Sequence, residues 1–522
     1  MPEVVIYDTS LRDGAQGEGI SFSAGDKRDV TERLAAFGIQ FIEAGWPGSN
    51  PVDDEFFSSA CGVKAENAKI VAFGSTRKHD IEACDDVNLR NLASCGTEWC
   101  TIFGKTWDFQ VAEALRVSLD ENLRMISDSV SYLKGCGKKV IFDAEHFFDG
   151  YLENAEYAVS CLSAAADAGA DWLVLCDTNG GTLPDDVFRI TKAVTQISSV
   201  PVGIHAHNDC GLAAVNSLAA VDAGAKMVQG TINGVGERCG NANLCTVMPL
   251  LALKKGVDIG IDMKGLTALS KDIAEIENAD RPYGLPFVGD GAFAHKGGIH
   301  ASAVARDPRT YEHIAPESVG NRRRMLISDM AGRASIAGKL KELGIKEGED
   351  STDIVDRIKS LESAGYQFEG ADASFELLVR KMRGEVKPAF KLRGFRLFID
   401  SVGDGKLTSE ASIKVDNLVG DVEHTAADGN GPVDALDNAV RKAISAFFPV
   451  INGIKLTDYK VRVLDGHKAT ASTVRVLIKS SNGHDSWTTV GVSENVIEAS
   501  LYALLDSLEY AIYKNGERGG KK

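Results

Sequence analysis

The segment VPVGIHAHND, residues 200–209, runs from a short apolar stretch directly into two histidines, an amide and an acid. The apolar half predicts a buried strand, because a proline opens it and β-branched residues follow. His205 and His207 stand two positions apart on an extended chain, so both side chains point to one face and can reach the same ion. A single histidine at a strand end is usually a core residue. The pair, with its neighbouring acid and amide, favours a metal site.

A strand followed by a helix recurs along the chain from residue 3 to about residue 255. The predicted strands are Val4–Tyr7, Phe41–Ala44, Ile70–Phe73, Cys100–Phe103, Val140–Phe142, Trp172–Cys176, Val202–Ile204 and Met227–Thr231. Predicted helices between them include Asp26–Phe37, Val111–Leu133 and Asn154–Ala168, and glycines such as Gly38 and Gly224 are placed to end helices in a left-handed conformation. Eight such units in about 250 residues predict a (β/α)8 TIM barrel. No G-x-G-x-x-G follows the first strand, which counts against a dinucleotide-binding fold.

Polar residues recur just after the predicted strands, where the loops of a barrel form its catalytic rim. They are Asp8, Arg12 and Asp13 after strand one, Glu43 after strand two, Asp143, Glu145 and His146 after strand five, Asp177 and Thr178 after strand six, and Asn233, Glu237 and Asn241 after strand eight. Any one of them can serve only to satisfy loop backbone groups. Their recurrence at one end of the strands predicts a catalytic face.

The alternation stops after residue 256, so we predict three parts: a barrel over 1–258, helical linker subdomains over 259–392 and a C-terminal α+β regulatory domain over 393–515. Predicted linker helices are Leu266–Ile276, Asp353–Ser363 and Ala373–Met382. Between the first two lies the glycine-rich loop AHKGGIH, residues 294–300, whose two histidines indicate either a polar turn or part of a site. Predicted C-terminal strands are Phe395–Ile399, Glu410–Val415, Lys460–Leu464 and Thr473–Ile478.

The C-terminal part contains a weak internal repeat. HTAADGNGP at 424–432 precedes a predicted helix over 433–447, and WTTVGVS at 487–493 precedes a predicted helix over 494–510. Each copy predicts a glycine-containing turn and a helix N-terminus, whose free N–H groups can hold a carboxylate. A domain that binds small acids and a domain with two ordinarily capped helices both fit this pattern.

Composition narrows the class of protein. The 522 residues include 57 basic and 74 acidic ones, giving a net charge of −17; with Arg322-Arg323-Arg324 as the one basic cluster, we expect no nucleic-acid partner. No apolar run approaches the roughly 18 residues that span a bilayer, so we expect no membrane partner. The ten cysteines are scattered without a C-x-x-C pair. We therefore expect a cytoplasmic protein with reduced thiols.

Two stretches resemble signatures of a known enzyme family. YDTSLRDGAQ at 7–16 resembles the D-T-[ST]-L-R-D-G-x-Q opening of the 2-isopropylmalate, homocitrate and citramalate synthases, which are acyl-CoA-condensing TIM-barrel enzymes. HAHND, followed by NGVGERCGNA at 233–242, resembles their second signature, and GGIH at 297–300 a third. The resemblance spans essentially the whole chain. AQGEGISFS at 15–23 is most similar to the citramalate synthase branch, with Ala15 where isopropylmalate synthases commonly have glutamate.

The resemblance implies a reaction and a metal. The reaction joins the methyl group of acetyl-CoA to pyruvate, with hydrolysis of the thioester to citramalate and CoA, as the first step of a threonine-independent route to isoleucine. The implied ligands of a divalent ion (Mn²⁺, Mg²⁺ or Zn²⁺) are Asp13, His205, His207 and Asn241. Such an ion holds the keto acid and makes its carbonyl electrophilic as a Lewis acid.

The same resemblance implies the other site residues. Arg12 stabilises the developing alkoxide and binds substrate with Gln16, and His300, from the connector of a partner subunit in a homodimer, is the base. Glu145 assists catalysis, and Thr178 and Tyr311 bind substrate. Three of these have plainer interpretations: Glu145 as a salt-bridge partner, Thr178 as a helix-cap neighbour and Tyr311 as a surface residue. The C-terminal domain is expected to sense isoleucine.

Three alternatives stay open at the level of the sequence. A member of the same family can condense a bulkier 2-keto acid, such as 2-oxoisovalerate, and the residues that line the keto-acid side chain are not identified by the pattern. A metal-dependent aldolase or lyase can use the same barrel, although a feedback domain fits a committed biosynthetic step better. A non-catalytic amino-acid-binding regulator would be favoured only if Arg12, Glu145 or His300 were missing.

Overall fold

The computed structural model describes residues 2–59, 63–65, 67–296, 298–326, 333–346, 348, 350–402, 406–417, 420–464 and 472–519. Gly297 of the glycine-rich loop and Cys61 therefore lie outside the described residues. The chain divides into two units. The first consists of Met1–Phe293 with His313–Arg323, and the second of Ala294–Glu312 with Arg324–Lys522.

Eight parallel strands close into a barrel in the first unit, in sequence order, with the eighth paired to the first. They are β1 (Val5–Asp8), β2 (Phe41–Gly45), β3 (Lys69–Ser75), β4 (Trp99–Lys105), β5 (Lys139–Glu145), β6 (Trp172–Asp177), β7 (Val202–Ala206) and β8 (Met227–Gly230). The predicted TIM barrel is confirmed. Several strands run further than predicted, so Asp143 and Glu145 lie within β5 instead of following it, and Glu43 lies within β2.

Helices surround the barrel in alternation with its strands. They are Ala24–Phe37, Pro51–Ser59, Val87–Ser94, Asp108–Gln110, Leu119–Gly135, Phe147–Asp167, Pro184–Ile197, Ala213–Asp222, Leu244–Pro249 and Leu266–Glu277. Gly38 and Gly224 end helices with φ of 107° and 108°, as predicted. The single predicted helix over 111–133 is wrong. Arg116 takes a left-handed conformation, and Ser118 then caps a new helix by accepting the N–H of Glu121.

Strand alternation builds two layers inside the barrel. The lower layer consists of Tyr7, Phe41, Val71, Trp99, Ile141, Val174 and Met227, and it is apolar except for the Tyr7 hydroxyl, which donates to Glu43. Two positions further along the same strands come polar side chains on the same inner face: Glu43 after Phe41, Thr101 after Trp99, Asp143 after Ile141 and Gln229 after Met227. The apolar layer therefore closes the barrel beneath a buried polar layer at the carboxyl ends of the strands.

The second unit begins with short elements. A two-stranded parallel pair joins Ala294–His295 to Arg324–Met325, and the helices are Gly298–Arg306, Arg333–Glu342, Ser351–Ser363 and Asp372–Met382. Two three-stranded antiparallel sheets follow, Lys391–Val402 with Lys406–Asp416 and Val422–Gly429, and Lys455–Val463 with Val474–Ser481 and Ser486–Ser493. Each sheet is followed by a helix, Pro432–Ser445 and Val496–Gly519. The repeat is thus a βββα unit.

The turns predicted for both copies of the repeat are wrong over most of their length. Residues 424–429 and 487–493 are edge strands, and each pairs with the central strand of its sheet. The helices that follow pack against the sheets through a common apolar core that includes Ile413, Leu436, Ile478 and Leu504. The prediction took the glycines as signs of a turn. Gly429 and Gly491 instead lie in strands where a helix backbone approaches closely, and a Cβ at these positions would lie 2.1 and 2.0 Å from that helix backbone. Within the described part of the chain, every helix is too short or too polar to cross a bilayer.

Glu277 is a buried acid at the last turn of the helix Leu266–Glu277. Its residue exposure is 2%, and neither carboxylate oxygen has a hydrogen-bond partner among the described residues. Burial, and secondly the charge of Asp8, raises the pKa of Glu277 to about 8. The folded protein therefore keeps this proton over a pH range in which the unfolded chain has released it.

This difference predicts a pH-dependent stability. Between the unfolded pKa of about 4.3 and the folded pKa, the native state binds more protons, so the free energy of unfolding falls as pH rises and levels off above the folded value. Glu277→Gln should remove this loss and stabilise the protein at pH 9 relative to pH 5 by up to about 4 kcal/mol compared with wild type. Urea midpoints at pH 5 and pH 9 measure this change in stability. Glu275→Gln, at an exposed site on the same helix, should track wild type; parallel slopes for Glu277→Gln and wild type would contradict the prediction.

Candidate active site

Asp13, His205 and His207 form a buried cluster at the rim of the barrel. Asp13 Oδ2 lies 3.3 Å from His205 Nε2 and 3.9 Å from His207 Nε2. The two imidazole Nε2 atoms are 3.3 Å apart. One donor atom from each of the three residues fits within 4.8 Å of the others, a spacing compatible with a single metal ion.

Local structure places each member of the cluster. Asp13 follows β1 in a tight turn, where its N–H donates to the carbonyl oxygen of Thr9 at 2.9 Å. His205 points into the barrel from β7, and His207 lies just beyond the strand, where it forms an isolated bridge with Asn241. Closure of the barrel by the pairing of β8 with β1 brings the loop after β8, which carries Asn241, to the segment that carries Asp13.

Gln229 orients His205. The Nδ1 of His205 lies 2.9 Å from Gln229 Oε1, and the amide of Gln229 donates in turn to Asp143 Oδ1 at 3.1 Å. An amide oxygen only accepts, so Nδ1 carries a proton, and Nε2 is the ring nitrogen that faces Asp13. Burial, and secondly the charge of Glu43, raises the pKa of Asp143 to about 7. Gln229 and Asp143 thus support His205 from behind, as hydrogen-bonding neighbours usually support a metal-binding histidine.

Three buried side-chain atoms have no hydrogen-bond partner among the residues that the structure describes: Asp13 Oδ1, His207 Nδ1 and Asn241 Oδ1. The amide nitrogen of Asn241 donates to the carbonyl oxygen of Val235 at 3.2 Å, which leaves its oxygen as the free atom. Unpartnered buried polar atoms are costly, and a bound cation would offset part of that cost. A carboxylate, two imidazoles and an amide oxygen suit Mn²⁺, Mg²⁺ or Zn²⁺, so these residues fit a divalent ion.

The electrostatics of the cluster are those of a compact ion-binding group. Burial acts to lower the pKa of His205, but hydrogen bonding and the charge of Asp13 outweigh it and raise the pKa. Burial, and then the nearby charge of His205, lowers the pKa of His207 to about 4. Burial acts against the ionised form of Asp13, yet Arg12 and the two histidines hold its pKa well below the usual range. The cluster therefore offers an anionic carboxylate and a neutral His207 imidazole near pH 7.

Arg12 lies beside this cluster and is held on two sides. Its Nε donates to Glu43 Oε1 at 2.6 Å, and its Nη1 lies 3.3 Å from Asp13 Oδ2. Its guanidinium carbon lies 3.7 Å from the centre of the Phe73 ring, in a cation–π contact. Although burial opposes the charged form, Glu43 and Asp13 raise the pKa of Arg12, so it stays cationic. A fixed positive charge in a buried pocket can stabilise an oxyanion.

Glu145 and Thr178 lie at the ends of neighbouring strands of the same rim. Glu145 ends β5, and its Oε2 lies 2.7 Å from Lys105 Nζ at the end of β4, so the structure contains the salt bridge that was the plainer interpretation. The hydroxyl oxygen of Thr178 accepts the N–H of His146 at 2.8 Å, which leaves the hydroxyl proton free to donate. The roles of Glu145 and Thr178 in substrate handling stay predictions.

Gln16 lies at the mouth of the barrel, whereas His300 and Tyr311 belong to the second unit. Gln16 and Arg12 line one cavity of about 430 Å³. The rings of His300 and Tyr311 stack with centroids 4.1 Å apart, and Tyr311 is 47% exposed. The structure thus pairs these two with each other. Their proposed places in the site stay predictions.

Several polar residues of the predicted rim are engaged in structural bonds outside the cluster. Asp8 accepts both the N–H and the hydroxyl of Ser10, and Asp177 accepts the hydroxyl of Thr182. The acid of the HAHND run, Asp209, pairs with Arg238 at 2.8 Å. The neighbouring acid that favoured a metal site is therefore not part of the cluster; Asp13 supplies the carboxylate instead.

Profiles of known families match the chain in three consecutive segments. The HMGL-like family matches residues 3–273, the homocitrate synthase post-HMGL domain-like family residues 287–365, and the LeuA allosteric (dimerisation) domain residues 369–512. A protein of Aquifex aeolicus named (R)-citramalate synthase is 51% identical over 99% of both chains. This chain belongs to the citramalate synthase family.

Other relatives cover the chain just as fully. An (R)-citramalate synthase of Geobacter sulfurreducens is 51% identical over 100% of both chains. A 2-isopropylmalate synthase of Methanocaldococcus jannaschii is 32% identical, covering 98% of this chain and 95% of its own. The order of segments and the two levels of identity confirm the resemblance, and they place this member of the citramalate synthase family nearer to the citramalate branch.

Sequence reasoning missed the residues that hold the site in place. Gln229 was predicted only as part of a strand, and Phe73, Trp46 and Lys27 were given no role. Signals for two of them exist in the sequence: Gln229 is a polar residue in an apolar strand, and Lys27 is a charged residue on the apolar face of a helix, one turn from Val30 and Thr31. A polar residue at a predicted core position marks either a structural bond or a site.

Proposed function

We propose that this protein is a metal-dependent acyltransferase that condenses acetyl-CoA and pyruvate with water, giving (R)-citramalate and CoA, as a step of isoleucine biosynthesis. The observation that carries the proposal is full-length similarity, at 51% identity, to proteins named for that activity. The buried Asp13–His205–His207 cluster beside Arg12 supplies the chemistry that the reaction requires. A carbon–carbon bond forms between the acetyl methyl and the keto carbon, and water cleaves the thioester.

Asp13, His205, His207 and Asn241 would hold the divalent ion, which would polarise the keto-acid carbonyl as a Lewis acid. Arg12 stabilises the negative charge that develops on the former carbonyl oxygen, a contribution of about 3 kcal/mol by analogy with oxyanion donors. Its bond to Glu43 fixes the direction of the guanidinium before substrate arrives. Thr178 donates its free hydroxyl proton to the keto-acid carboxylate.

Deprotonation of the acetyl methyl needs a base, for which we propose His300 from a partner subunit. A histidine titrates near neutral pH, so it can take and return a proton under physiological conditions. Glu145, whose Oε2 lies 2.7 Å from Lys105 Nζ, assists by orienting water for hydrolysis of the thioester. Gln16 binds substrate at the cavity of about 430 Å³ that it shares with Arg12. Tyr311 is proposed as a further substrate-binding residue.

An aromatic wall beside Arg12 supports pyruvate over a bulkier keto acid. The rings of Phe73 and Phe103 stack with centroids 5.5 Å apart, and the indole of Trp46 packs edge-on against both, at 5.5 and 5.9 Å. Phe73 is 5% exposed and lies directly beneath the guanidinium of Arg12. We propose that this rigid wall, which borders Arg12 through Phe73, limits the size of the keto-acid side chain.

A thiol-release assay with acetyl-CoA and a panel of 2-keto acids tests the proposal. We expect the highest kcat/KM with pyruvate, loss of activity after chelation, and recovery when Mn²⁺, Mg²⁺ or Zn²⁺ is returned. A preference for 2-oxoisovalerate would favour the isopropylmalate alternative. CoA release at an unchanged rate after chelation would contradict the proposed metal dependence. Cleavage of citramalate without net condensation would favour a lyase.

Widening the aromatic wall should change keto-acid selectivity. We expect Phe103→Ala to raise kcat/KM for 2-oxobutyrate relative to pyruvate by about 10-fold, because one extra methylene in an apolar pocket is worth 1–3 kcal/mol, or roughly 10–200-fold. Phe103 is a better choice than Phe73, which also contacts Arg12. Competition between the two keto acids measures the ratio. Phe188→Ala, at an exposed helix position, should leave it unchanged; an unchanged ratio for Phe103→Ala would show that this ring does not limit the pocket.

We propose that the C-terminal domain forms a homodimer and senses isoleucine. Its match to an allosteric dimerisation domain supports both roles. The sheets also expose apolar side chains that a partner would cover, among them Phe398 at 51%, Leu407 at 61% and Val463 at 54%. Isoleucine added to the thiol-release assay should lower the rate more than leucine does.

The nine described cysteines are all free, which supports action in the reducing cytoplasm.

A further inference from the structure

Lys27 is a charged residue buried on the inner face of the helix Ala24–Phe37, with its side chain only 6% exposed. Its ammonium group donates to the carbonyl oxygen of Leu11 at 3.0 Å and to that of Ala44 at 2.8 Å, and it forms an ion pair with Asp53. An ammonium group has three N–H donors. These three partners use all of them, so Lys27 has no donor left for a substrate.

The two carbonyl groups that Lys27 holds belong to the backbone of the active-site rim. Leu11 directly precedes Arg12, and Ala44 directly follows Glu43 in β2. Arg12 and Glu43 are themselves joined by a bond of 2.6 Å between Nε and Oε1. The ammonium of Lys27 therefore ties together, from the buried side, the two backbone segments that carry this pair.

Asp53 provides a second connection from the ion pair to Arg12. Its other carboxylate oxygen accepts the N–H of Trp46 at 2.8 Å, and the carboxylate packs against Gly45, where a Cβ would lie 2.7 Å from it. With φ of +147° at Gly45, both the conformation and the space require glycine. Trp46 in turn packs against Phe73, whose ring lies under the guanidinium of Arg12.

Stability alone is a poor explanation for this ion pair. Burial lowers the pKa of Lys27, and the charge of Asp53 opposes that effect. Removing two charges from water costs about as much as their attraction returns, so well-packed apolar residues are often equally stable in such a place. What apolar residues cannot supply is a set of directed bonds to two particular carbonyl groups. The ion pair therefore differs from apolar residues chiefly in that it fixes the geometry of the active-site rim.

We propose that Lys27, together with Asp53, is a positioning residue for Arg12. It fixes the separation of the β1 turn and the end of β2, and with it the placement of the Arg12 guanidinium over the reacting carbonyl oxygen. The inference rests on the proposed function, in which Arg12 stabilises charge in the transition state. A displacement of about 1 Å in such a group can cost 100-fold in rate.

A double-mutant cycle with the metal-loaded, full-length enzyme tests this. In the thiol-release assay with pyruvate, Lys27→Met should lower kcat about 100-fold while KM for pyruvate changes less than about 3-fold. In an Arg12→Ala background, the same substitution should cost less than about 3-fold, because the group through which Lys27 acts is gone. Equal losses in both backgrounds would overturn the proposal, since a general structural role does not depend on Arg12.

Lys138 offers a matched control. It is another buried lysine of the barrel, 8% exposed, whose ammonium donates to the carbonyl oxygen of Thr97 near the opposite end of the strands. Lys138→Met removes a buried charge and a bond to a carbonyl group as Lys27→Met does, so both should lower the urea midpoint. Only Lys27→Met should lower kcat by more than about 3-fold. A similar loss of kcat in both variants would overturn the proposal.

Two further measurements decide the remaining cases. If Lys27→Met does not fold, Lys27→Arg keeps the charge for Asp53 but changes the donor geometry, and it should lower kcat about 10-fold; wild-type kcat would overturn the proposal. If the wild-type enzyme turns over no 2-keto acid, the proposed function fails, and a crystal structure of Lys27→Met or Lys27→Arg judges the positioning role by itself. An Arg12–Glu43 contact that is lost or longer by about 1 Å supports that role, and an unchanged contact overturns it.

Discussion

Asp13→Asn should lower kcat at least about 1000-fold, because a bound divalent ion supplies several kcal/mol of transition-state stabilisation. The substitution keeps the size of the side chain but removes the negative charge that faces both histidines at 3.3 and 3.9 Å. We expect the affinity for Mn²⁺ to fall by more than about 100-fold, a larger loss than removal of an outer supporting group causes. Calorimetric titration with the metal alone and the thiol-release assay measure the two effects.

Asp209→Asn is the matched control for this substitution. Asp209 stands two residues after His207 in the same HAHND run, but it pairs with Arg238 and not with the cluster. Its substitution should leave metal affinity and kcat within about 3-fold of wild type. Retention of tight metal binding by Asp13→Asn, or its loss in Asp209→Asn, would mean that the ion is bound by a different set of residues.

His300→Ala should lower kcat about 1000-fold while pyruvate binding is largely retained, since a general base contributes 10²–10⁴-fold and does not hold the keto acid. The ring of His300 stacks on Tyr311 at 4.1 Å, so loss of packing is a competing explanation. His300→Phe separates the two, because it keeps an aromatic ring and lacks the base. We expect it to be as inactive as His300→Ala.

Single-turnover kinetics and calorimetric binding of pyruvate make the measurement, with His424→Ala as the control. His424 is an exposed histidine of the strand Val422–Gly429 that contacts Ser412. Its loss should leave kcat within about 2-fold of wild type. If His300→Phe restores turnover, the ring acts through stacking; wild-type turnover by His300→Ala would remove it as the base.

The barrel was predictable because its signals are local. Apolar runs, helices of period 3.6 and left-handed glycines such as Gly38 depend only on neighbouring residues, and the strand–helix unit recurs eight times. The errors arise where these local signals are not sufficient. The break at Arg116 and the strands over 424–429 and 487–493 depend on packing partners, which override propensity and glycine content.

The candidate site was predictable in part. Chain order placed Asp13, His205 and Asn241 after strands, and family resemblance named them as ligands before any contact was known. The acid beside the histidines was misread, because the chain leaves the extended conformation after His207 and enters a turn, where Asp209 pairs with Arg238. Nothing local distinguishes a strand-end acid that joins a cluster from one that caps a turn, as Asp8 does.

The sequence by itself determined the family, the eight-fold alternation and the set of ionisable residues at one end of the strands, because short-range periodicity and motif spacing carry that information. Only the tertiary structure decided which of those residues meet. Asp13 reaches His205, Arg12 bonds to Glu43, and Lys27 joins the backbone on both sides of that bond. The first contact forms because β8 pairs with β1 and closes the barrel, and the other two form because β1 pairs with β2. Strand pairing brings segments together that are distant along the chain, which their spacing in the sequence does not reveal.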